Sequence, residues 1–404
     1  MPSQPQVLSR NLVWLMAVAC GVSVANAYYN QPLLGTFSTY FQAPHWEAGL
    51  TATAAQVGYG AGIFFFLPLG DLVERRALTV GLVFACAACL VGMAASPNLP
   101  LLITTQLLVG ITCISPQILI PLGVEMVPAE TRGKLVGALM SGLLAGVLLA
   151  RTVAGFVADR FGWRALYLGA AVSMVVLGVC LRRSLPHRPA TTTASYGRLM
   201  HSLLELFRTQ PVLRRASYVS ALSFAAFTAF WATLSFLLEA RFHQGASAAG
   251  LFGIVGLAGA AGAPLAGRLT DSRGPGYAIA LALGCTAAAF VLMGTWVAIP
   301  GLVAGVFLMD LGVQSIQVAA QASVISLLPE ARSRLNTLYM VTRFAGGAAG
   351  SALGVLAWTW AGWPGLCVFC LGLTAAALVI HHRRPPENVR GVAAEPAPAP
   401  ETVI

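Results

Sequence analysis

The chain has 404 residues, of which 57% are hydrophobic and only 9% are charged. A soluble globular protein carries roughly 25% charged residues, so a surface made from this composition must largely face lipid. The net charge of +10 does not indicate a nucleic-acid partner, because most Lys and Arg residues stand in short segments between apolar runs. The composition therefore excludes a soluble enzyme and a nucleic-acid-binding protein.

Twelve apolar runs follow one another along the chain. Each is long enough to cross a bilayer as a helix, which takes roughly 20 residues. The runs predict an all-α membrane protein with twelve transmembrane helices, at residues 12–34, 50–70, 77–96, 100–126, 136–158, 163–181, 216–238, 247–267, 276–298, 301–325, 336–359 and 361–381.

The distribution of Lys and Arg predicts the orientation of these helices. The side that holds both termini carries 19 of them and the other side carries three, while Arg151 and Arg343 fall inside apolar runs. The positive-inside rule then predicts a multi-pass protein of the cell inner membrane with both termini in the cytoplasm. Residues 25–27 are similar to a leader cleavage site, but an uncleaved first helix keeps the number of helices even.

The longest segment between helices is basic and divides the helices six plus six. We predict an N-terminal bundle (1–181), a cytoplasmic linker (182–215) with a short amphipathic stretch, a C-terminal bundle (216–381) and a disordered cytoplasmic tail (382–404). The two bundles repeat each other: the segment at 70–74 corresponds to 267–271, and Gly162-Trp163 corresponds to Gly362-Trp363. Six-helix repeats with a binding site near the bilayer midplane are typical of transporters.

Two cytoplasmic segments carry a family resemblance. Gly267-x-Leu269-x-Asp271-x-x-Gly274, expected to form a loop, resembles the signature of the major facilitator superfamily, and the segment 70–76 is a degenerate copy of it. The resemblance implies a latch that holds the cytoplasmic side closed in one state, with Glu125 joined to it through Arg75 or Arg76. Solvation and membrane anchoring of these charges is the alternative. The candidate gate residues are Gly70, Asp71, Glu74, Arg75, Arg76, Glu125, Gly267, Asp271, Arg273 and Gly274.

Further phrases at 25–34, 149–155 and 332–336 are similar to the YnfM-like group, which is allied to drug:proton antiporters. Two features depart from that branch. Gln106 stands where such antiporters usually carry Arg, which weakens the expectation of Arg-assisted proton coupling, and the later part of the antiporter signature in helix 5 reads Ala150-Arg151 and Ala154-Gly155.

Three ionisable residues lie inside predicted helices. A charge at the centre of a bilayer costs at least about 2.5–3.5 kcal/mol, so such residues usually have a function. Asp310 in helix 10, Arg151 in helix 5 and Arg343 in helix 11 are therefore candidates for a substrate or proton site. Asp310 and Arg151 are expected at similar depth and so able to pair, with Arg343 deeper as an alternative partner. Structural ion pairs between helices are the alternative.

Polar and aromatic residues at helical spacing extend this candidate site. Gln314, Gln317 and Gln321 share one face with Asp310, which favours a water-filled cavity over simple packing. The superfamily resemblance implies that helices 1 and 7 face substrate; their candidates, with Ser23 and Phe224 at the same spacings, are Asn26, Tyr29, Asn30, Phe227 and Trp231. Lipid contact or packing is the alternative for the aromatic residues, and Tyr28 is expected at the outer interface, where it could serve only as an anchor.

Glycines recur in helix 5 and helix 11. Gly142 with Gly146, and Gly346 with Gly350 and Gly354, have the spacing that lets helices approach closely. In a transporter these glycines would form the sliding seam between the two halves, whereas in a static bundle they would only pack.

The sequence therefore predicts a proton-coupled secondary transporter that exports a small amphiphilic molecule or metabolite by alternating access. Proton-coupled uptake and facilitated diffusion are alternatives. A membrane enzyme is disfavoured because the histidines lie in loops or at helix ends, and a channel is disfavoured by the repeat. No phosphate-binding Gly-rich motif is present, so no nucleotide is expected. We expect no cofactor or metal, with the proton as coupling ion, and a monomer in the bilayer.

Overall fold

The computed structural model describes residues 9–187, 195–260, 263–328 and 331–383, and this part of the chain is helical with short connections. Its α-helices are α1 (Arg10–Ala25), α2 (Leu34–Phe41), α3 (His45–Leu72), α4 (Arg75–Ala94), α5 (Leu99–Thr112), α6 (Ser115–Glu125), α7 (Arg132–Phe161), α8 (Trp163–Ser184), α9 (Tyr196–Thr209), α10 (Pro211–Phe242), α11 (Ala246–Ala260), α12 (Ala263–Arg273), α13 (Pro275–Thr295), α14 (Ile299–Ile325) and α15 (Arg332–His382). Two 3₁₀ turns lie at Gln31–Leu33 and Ala129–Thr131.

The all-α membrane fold is confirmed. Nine helical segments of the described residues are long and apolar enough to cross a membrane, and one of them is the 51-residue α15. Gly362 (φ +59°) interrupts α15, which divides it into the two predicted helices 11 and 12. The remaining predicted crossings, helices 1 and 8, correspond to α1 with α2, which are separated by a break, and to α11 with α12, which lie on either side of residues 261–262, outside the described part of the chain.

The first crossing is not one continuous helix. The apolar run predicted a helix over 12–34, but α1 ends at Ala25 and a 3₁₀ turn precedes α2. The Asn26 amide donates to the carbonyls of Val22 (2.9 Å) and Ser23 (3.1 Å), so it satisfies the end of α1. Pro32 has no N–H to continue the helical hydrogen bonds. This break directs residues 28–31 toward the centre of the molecule.

The fourth crossing is also broken, between α5 and α6. Cys113 and Ile114 leave the helical hydrogen-bonding pattern just before Pro116, whose missing N–H explains the break. On the inner side of the bundle, α9 forms a 14-residue amphipathic helix within the predicted linker, and α10 already begins at Pro211. The amphipathic part of the linker is therefore longer than the sequence suggested.

The two signature segments are mostly helical rather than loops. Gly70 and Asp71 belong to the last turn of α3, and Gly267 and Asp271 lie within α12. The reversal of the second segment falls on Gly274 alone, whose φ of +84° requires a residue without a side chain. The expectation of a loop over 267–274 was wrong because the helix continues through it to the glycine.

The helix contacts repeat between the first and second halves of the chain. Within the first half α1 packs on α7 and α3 packs on α5; within the second half α10 packs on α15 and α11 packs on α14. Between the halves, α3 packs on α15 and α7 packs on α11. The site described below lies between these two contacts, beside α10 and α14.

The glycine sets named from the spacing, Gly142 with Gly146 and Gly346 with Gly350 and Gly354, do not form the seam between the halves, contrary to one of the two expectations. A Cβ at Gly142 would lie 2.3 Å from the Ala17 carbonyl of α1, and one at Gly350 would lie 2.1 Å from the Ala225 carbonyl of α10. Both contacts stay within one half. The glycines do allow close approach between helices, as their spacing predicted. Glycine periodicity does not, however, indicate which neighbouring helix is approached.

The seam itself is formed by glycines of other positions. Gly250 of α11 approaches Arg151 and Thr152 of α7 so closely that an added Cβ would lie 2.6 Å from the Arg151 carbonyl. Gly155 of α7 approaches Ala246 of α11 in the same way, at 2.3 Å. Backbone-to-backbone contact between the halves is therefore made by α7 and α11.

One end of the bundle is closed by hydrogen bonds between the halves. We call the end that holds the connections at 42–44, 162 and 243–245 the outer end. Thr53 donates to Ser351 (3.3 Å), Thr152 to the Gly250 carbonyl (2.8 Å), and Ser247 to Asp159 and to the Gly155 carbonyl (3.0 and 3.3 Å). These four hydrogen bonds all belong to the outer half of the bundle. The two halves are therefore joined at the outer end.

Candidate functional site

Arg151 of α7 lies at the centre of the molecule and is completely buried. Its Nε donates to Gln31 Oε1 at 2.7 Å, and its Nη1 donates to the Val147 carbonyl of its own helix at 3.3 Å. Its Nη2 is buried and has no hydrogen-bond partner. Because Gln31 belongs to the 3₁₀ turn after α1, the break in the first crossing is what positions the guanidinium.

Aromatic rings surround the guanidinium of Arg151. Its Cζ lies 3.9 Å from the ring centroid of Trp231, 5.2 Å from that of Tyr28 and 5.6 Å from that of Phe227. Such cation–π contacts contribute about 2 kcal/mol or more where water is excluded. The indole Nε1 of Trp231 is also buried without a partner. The rings thus hold the charge in place while two nitrogens, Arg151 Nη2 and Trp231 Nε1, keep N–H groups without an acceptor.

Asp310 of α14 is completely buried, and neither of its carboxylate oxygens has a hydrogen-bond donor among the described residues. It lies against the glycine face of α11, where a Cβ at Gly256 would lie 3.1 Å from Asp310 Oδ2. A Cβ at Gly253, one turn earlier on the same face, would lie 3.3 Å from Arg151 Cβ. Neighbours one turn apart are about 5–6 Å from each other, so the glycine face of α11 brings Asp310 and Arg151 together across the two halves.

Arg343 of α15 occupies a different part of the core. Its Nη1 donates to Ser220 Oγ at 2.9 Å, and its Cζ lies 4.1 Å from the ring centroid of Phe224. The Tyr339 hydroxyl donates to the same Ser220 oxygen at 2.9 Å. Arg343 is thus held by a polar cluster between α10 and α15 and is not hydrogen-bonded to Asp310 in this state.

The remaining predicted residues divide into those near this centre and those away from it. Gln314, Gln317 and Gln321 are half-buried on α14, and Gln321 donates to Asn336 of α15 at 2.8 Å. Gln106 of α5 is completely buried, and neither of its amide atoms has a partner. Asn26 caps α1, as described above, so its amide donors are occupied by that helix.

Three consecutive residues of the broken segment, Tyr28, Tyr29 and Asn30, have different surroundings. Asn30 donates to the Thr51 carbonyl of α3 at 3.1 Å and leaves its Oδ1 without a partner. Tyr29 lines an apolar groove between α1 and α7 on the outside of the bundle, together with Trp14. Tyr28, expected at the outer interface, is instead buried against Arg151.

The predicted gate residues lie at the inner end. Arg75 donates to Glu125 Oε1 at 2.8 Å and to the Gly70 carbonyl at 3.1 Å, which is the contact the family resemblance implied for Glu125. Arg76 donates to the Arg182 carbonyl of α8, and Glu74 lies 2.6 Å from His187 Nδ1. The side chain of Asp71 lies outside the described part of the structure. These contacts lie within the first bundle and the start of the predicted linker.

The second gate segment makes fewer contacts. Arg273 donates to the Tyr277 hydroxyl at 2.9 Å, with its Cζ 5.0 Å from that ring centroid. Asp271 is exposed, and a Cβ at Gly267 would meet no atom within 4 Å. The role of both segments as a latch stays a prediction.

Several residues of the centre were missed by sequence reasoning. These residues are Tyr28, Gln31 and Ser220, together with Gln56, whose Oε1 is buried without a partner beside the Phe224 ring. The proline at position 32 was the available signal for the break that brings Tyr28 and Gln31 inward. Ser220 lies one turn before Phe224, so the face of α10 defined by Phe224, Phe227 and Trp231 could have been extended to it.

The described side chains of the site can hold a proton and a small polar group. Among the described residues no group of three His, Cys, Asp or Glu side chains is placed to hold a metal ion. What the centre offers is one acid, two guanidiniums and a face of aromatic rings, lying between two halves that are joined at the outer end.

The comparisons with known proteins agree with this architecture. The chain is 39% identical over 369 residues to the uncharacterized transporter YgaY of Escherichia coli O157:H7, covering 89% of this chain and 92% of that protein. It is 35% identical over 373 residues to the transporter SCO4007 of Streptomyces coelicolor, covering 90% and 86%.

The fold is similar to that of a solved structure, a bacterial homologue of the human lysosomal transporter Spinster in an inward-facing, unoccupied conformation. The TM-score is 0.68 with 13% sequence identity, covering 92% of this chain and 95% of that one. A family model described as Major Facilitator Superfamily matches residues 15–351. The superfamily resemblance is therefore confirmed, while the YnfM-like branch stays a prediction. The protein is a membrane-embedded transporter of a small molecule and not an enzyme, and the chain belongs to the Major Facilitator Superfamily.

Proposed function

We propose that this protein is a proton-coupled secondary transporter of a small organic molecule, and that Asp310 carries the proton. Transport proceeds by rocking of the two six-helix bundles about the central site. The protein lies in the inner membrane with both termini in the cytoplasm, since the 19 Lys and Arg residues of the terminal side would otherwise have to face outward.

One observation carries the proposal: Asp310 is completely buried, and neither carboxylate oxygen has a donor among the described residues. An ionised carboxylate without donors is very costly in a protein interior, whereas a protonated carboxyl is tolerated. A small shift of α7 against α11 would bring Arg151 to hydrogen-bonding distance and favour the ionised form. Movement between the halves is thereby linked to taking up and releasing one proton.

The closed outer end supports a carrier that faces the cytoplasm in this state. Opening outward requires breaking the contacts of α7 with α11 and of α3 with α15. Arg151 and Thr152 belong to the first contact, so the outer closure and the charged centre share one segment of α7. A change of charge at the centre is therefore placed to act directly on the closure.

The direction of transport follows from whether substrate and proton compete or bind together. Export by antiport, the direction suggested by the resemblance to drug:proton antiporters, requires competition. Uptake by symport is the second candidate, and it is favoured because the core buries two guanidiniums but a single carboxylate. Facilitated diffusion would need no proton site at all.

The test is transport in proteoliposomes with an imposed pH gradient and a pH-sensitive dye inside the vesicles. Compounds from a panel of amphiphiles and metabolites are added one at a time. A coupled substrate should change the dye signal in vesicles with the wild-type protein and not in vesicles with Asp310→Asn. Asp310→Asn should abolish gradient-driven accumulation while the variant stays folded by thermal unfolding. Glu205→Gln, an exposed acid on α9, is the matched control. Normal accumulation by Asp310→Asn would remove the proton role.

A further inference from the structure

The charges buried at the centre do not balance. Among the described Asp, Glu, Lys, Arg and His side chains that are buried in the membrane-spanning helices, Arg151, Arg343 and Asp310 lie in the core, and His381 lies at the inner end of α15. The core thus holds two guanidiniums and one carboxylate, and the excess positive charge grows when Asp310 is protonated. A buried charge without a partner costs several kcal/mol, so an anion that enters the centre would be bound favourably.

The donors for such an anion are already in place. Arg151 Nη2 and Trp231 Nε1 are both buried, neither has a partner, and the two side chains are in contact, with Arg151 Cζ 3.9 Å from the Trp231 ring. A guanidinium presents parallel N–H groups that match the two oxygens of a carboxylate. The unused donors at this point are therefore suited to an oxyanion and have nothing to offer a cation.

The apolar part of the site defines the rest of the ligand. On α10, Phe224 and Phe227 are stacked at 5.6 Å between ring centroids, and Phe227 lies 6.2 Å from Trp231. This ladder of three rings begins at Arg343 and ends at Arg151. A ligand with flat apolar rings can contact the ladder while its charged group lies at Arg151.

We propose that the substrate is an aromatic or similarly flat organic acid with one carboxylate, which binds to Arg151 Nη2 and the Trp231 indole N–H. The part of this proposal that concerns protons rests on the function proposed above. A cationic amphiphile would add to the uncompensated positive charge, and an inorganic anion would leave the ring ladder without a contact.

The sign of coupling follows from this assignment. The carboxylate of the ligand and the carboxylate of Asp310 are like charges that share the same guanidinium, so each disfavours the other. Protonation of Asp310 removes this repulsion and releases Arg151 for the ligand. Acid and proton therefore bind together, which makes the carrier a symporter and its direction uptake under an inward proton gradient.

The experiment uses three compounds of one shape: 2-naphthoate, its neutral amide and its cationic amidine, with chloride as the inorganic anion. Thermal unfolding of the purified full-length protein in detergent reports binding. We expect 2-naphthoate to raise Tm saturably and the other three to leave it unchanged. A shift by the amidine or the amide, an equal shift by chloride, or no shift by 2-naphthoate would overturn the proposal.

Variants locate the binding. Arg151→Gln should eliminate the shift by 2-naphthoate, whereas Arg164→Gln should retain it. Arg164 is a matched control because its guanidinium also lies over a tryptophan, 4.2 Å from the Trp163 centroid, but near the outer end. Trp231→Phe keeps a ring and removes only the N–H, so it should weaken binding several-fold even if Arg151→Gln folds poorly. Full binding by Trp231→Phe and Arg151→Gln would place the anion elsewhere.

Asp310→Asn separates the two proposals. In the wild type, the affinity for 2-naphthoate should fall as pH rises; the variant should bind without pH dependence and about tenfold tighter at high pH, since a like charge is gone. Binding of the acid with identical pH dependence in both proteins would keep the anion site and remove Asp310 as the proton carrier. If gradient-driven transport of amides failed in Asp310→Asn and no acid bound to either protein, Asp310 would remain the proton carrier and the anion site would be removed.

Discussion

Two arginines are buried in the core on helices that occupy equivalent places in the two halves. Arg151 of α7 and Arg343 of the first part of α15 each lie over an aromatic ring of α10. They differ in their partners: Arg343 donates to Ser220, which Tyr339 also binds, whereas Arg151 keeps one nitrogen without any partner. The comparison teaches that similar burial does not imply similar satisfaction of a charge, and under the proposals above it separates a stabilising arginine from a binding one.

The neighbours of the two arginines explain this difference. Arg343, Tyr339 and Ser220 belong to the second half, so their hydrogen bonds persist when the halves move as rigid bodies. Arg151 contacts Trp231 of the other half and packs against the glycine face of α11. Its environment therefore changes whenever the halves move, which is what a coupling residue requires.

The largest expected effect comes from replacing the two arginines in turn. Arg151→Gln should reduce transport by at least about a hundredfold with little change in Tm, because it removes an incompletely satisfied charge. Arg343→Gln should retain measurable transport and lower the stability by about 1–3 kcal/mol, because it leaves buried partners unsatisfied. Transport in proteoliposomes and thermal unfolding measure the two effects. The reverse outcome, with stability lost at Arg151 and transport lost at Arg343, would contradict the comparison.

The closure at the outer end can be tested by a covalent bond between the halves. Thr53 of α3 and Ser351 of α15 have their hydroxyl oxygens 3.3 Å apart, so the pair Thr53→Cys/Ser351→Cys should form a disulfide under mild oxidant. A bond between the halves prevents outward opening, and transport should stop until a reductant is added. Each single cysteine variant under the same oxidant is the control. Undiminished transport by the oxidised pair would show that this contact does not open.

A smaller effect is expected from the glycine face that holds Asp310. Gly256→Ala places a methyl group 3.1 Å from Asp310 Oδ2 and 3.2 Å from Leu148, which displaces the acid by a few tenths of an ångström. Transport should fall several-fold, since coupling depends on the distance between Asp310 and Arg151. Gly284→Ala on α13, where the added Cβ meets nothing within 4 Å, is the control and should transport normally. Equal behaviour of the two variants would show that Asp310 tolerates displacement.

Much of the fold could be predicted from the sequence because the constraints of a bilayer are strong. Apolar runs of spanning length locate the helices, and charges inside those runs are costly enough to mark Asp310, Arg151 and Arg343. All three are buried as expected. Hydropathy does not register breaks within a run, however, because a helix and a 3₁₀ turn of the same composition score alike. Tyr28 and Gln31 were missed for this reason.

The seam between the halves was not predictable for a different reason. Small residues show that a helix approaches a neighbour closely, but the identity of the neighbour depends on the rotation of the helix in the bundle. Gly146 and Gly155 lie on one helix, and the first contacts α1 of the same half while the second contacts α11 of the other. Only the three-dimensional arrangement separates packing within one half from contact between the halves.

The smallest effect is expected at the inner end, where Arg75 and Glu125 form an ion pair of 2.8 Å with the Glu125 side chain 50% exposed. Exposed pairs contribute at most about 1 kcal/mol, so Glu125→Gln should leave Tm nearly unchanged. If the pair acts as a latch in one state only, the variant should change the transport rate by about two- to threefold, since 0.5 kcal/mol corresponds to roughly that factor. An unchanged rate in Glu125→Gln, matched to that of Glu205→Gln, would assign these charges to solvation and membrane anchoring. A latch acts by biasing one state, so even a small change in rate without a change in stability separates it from an anchor.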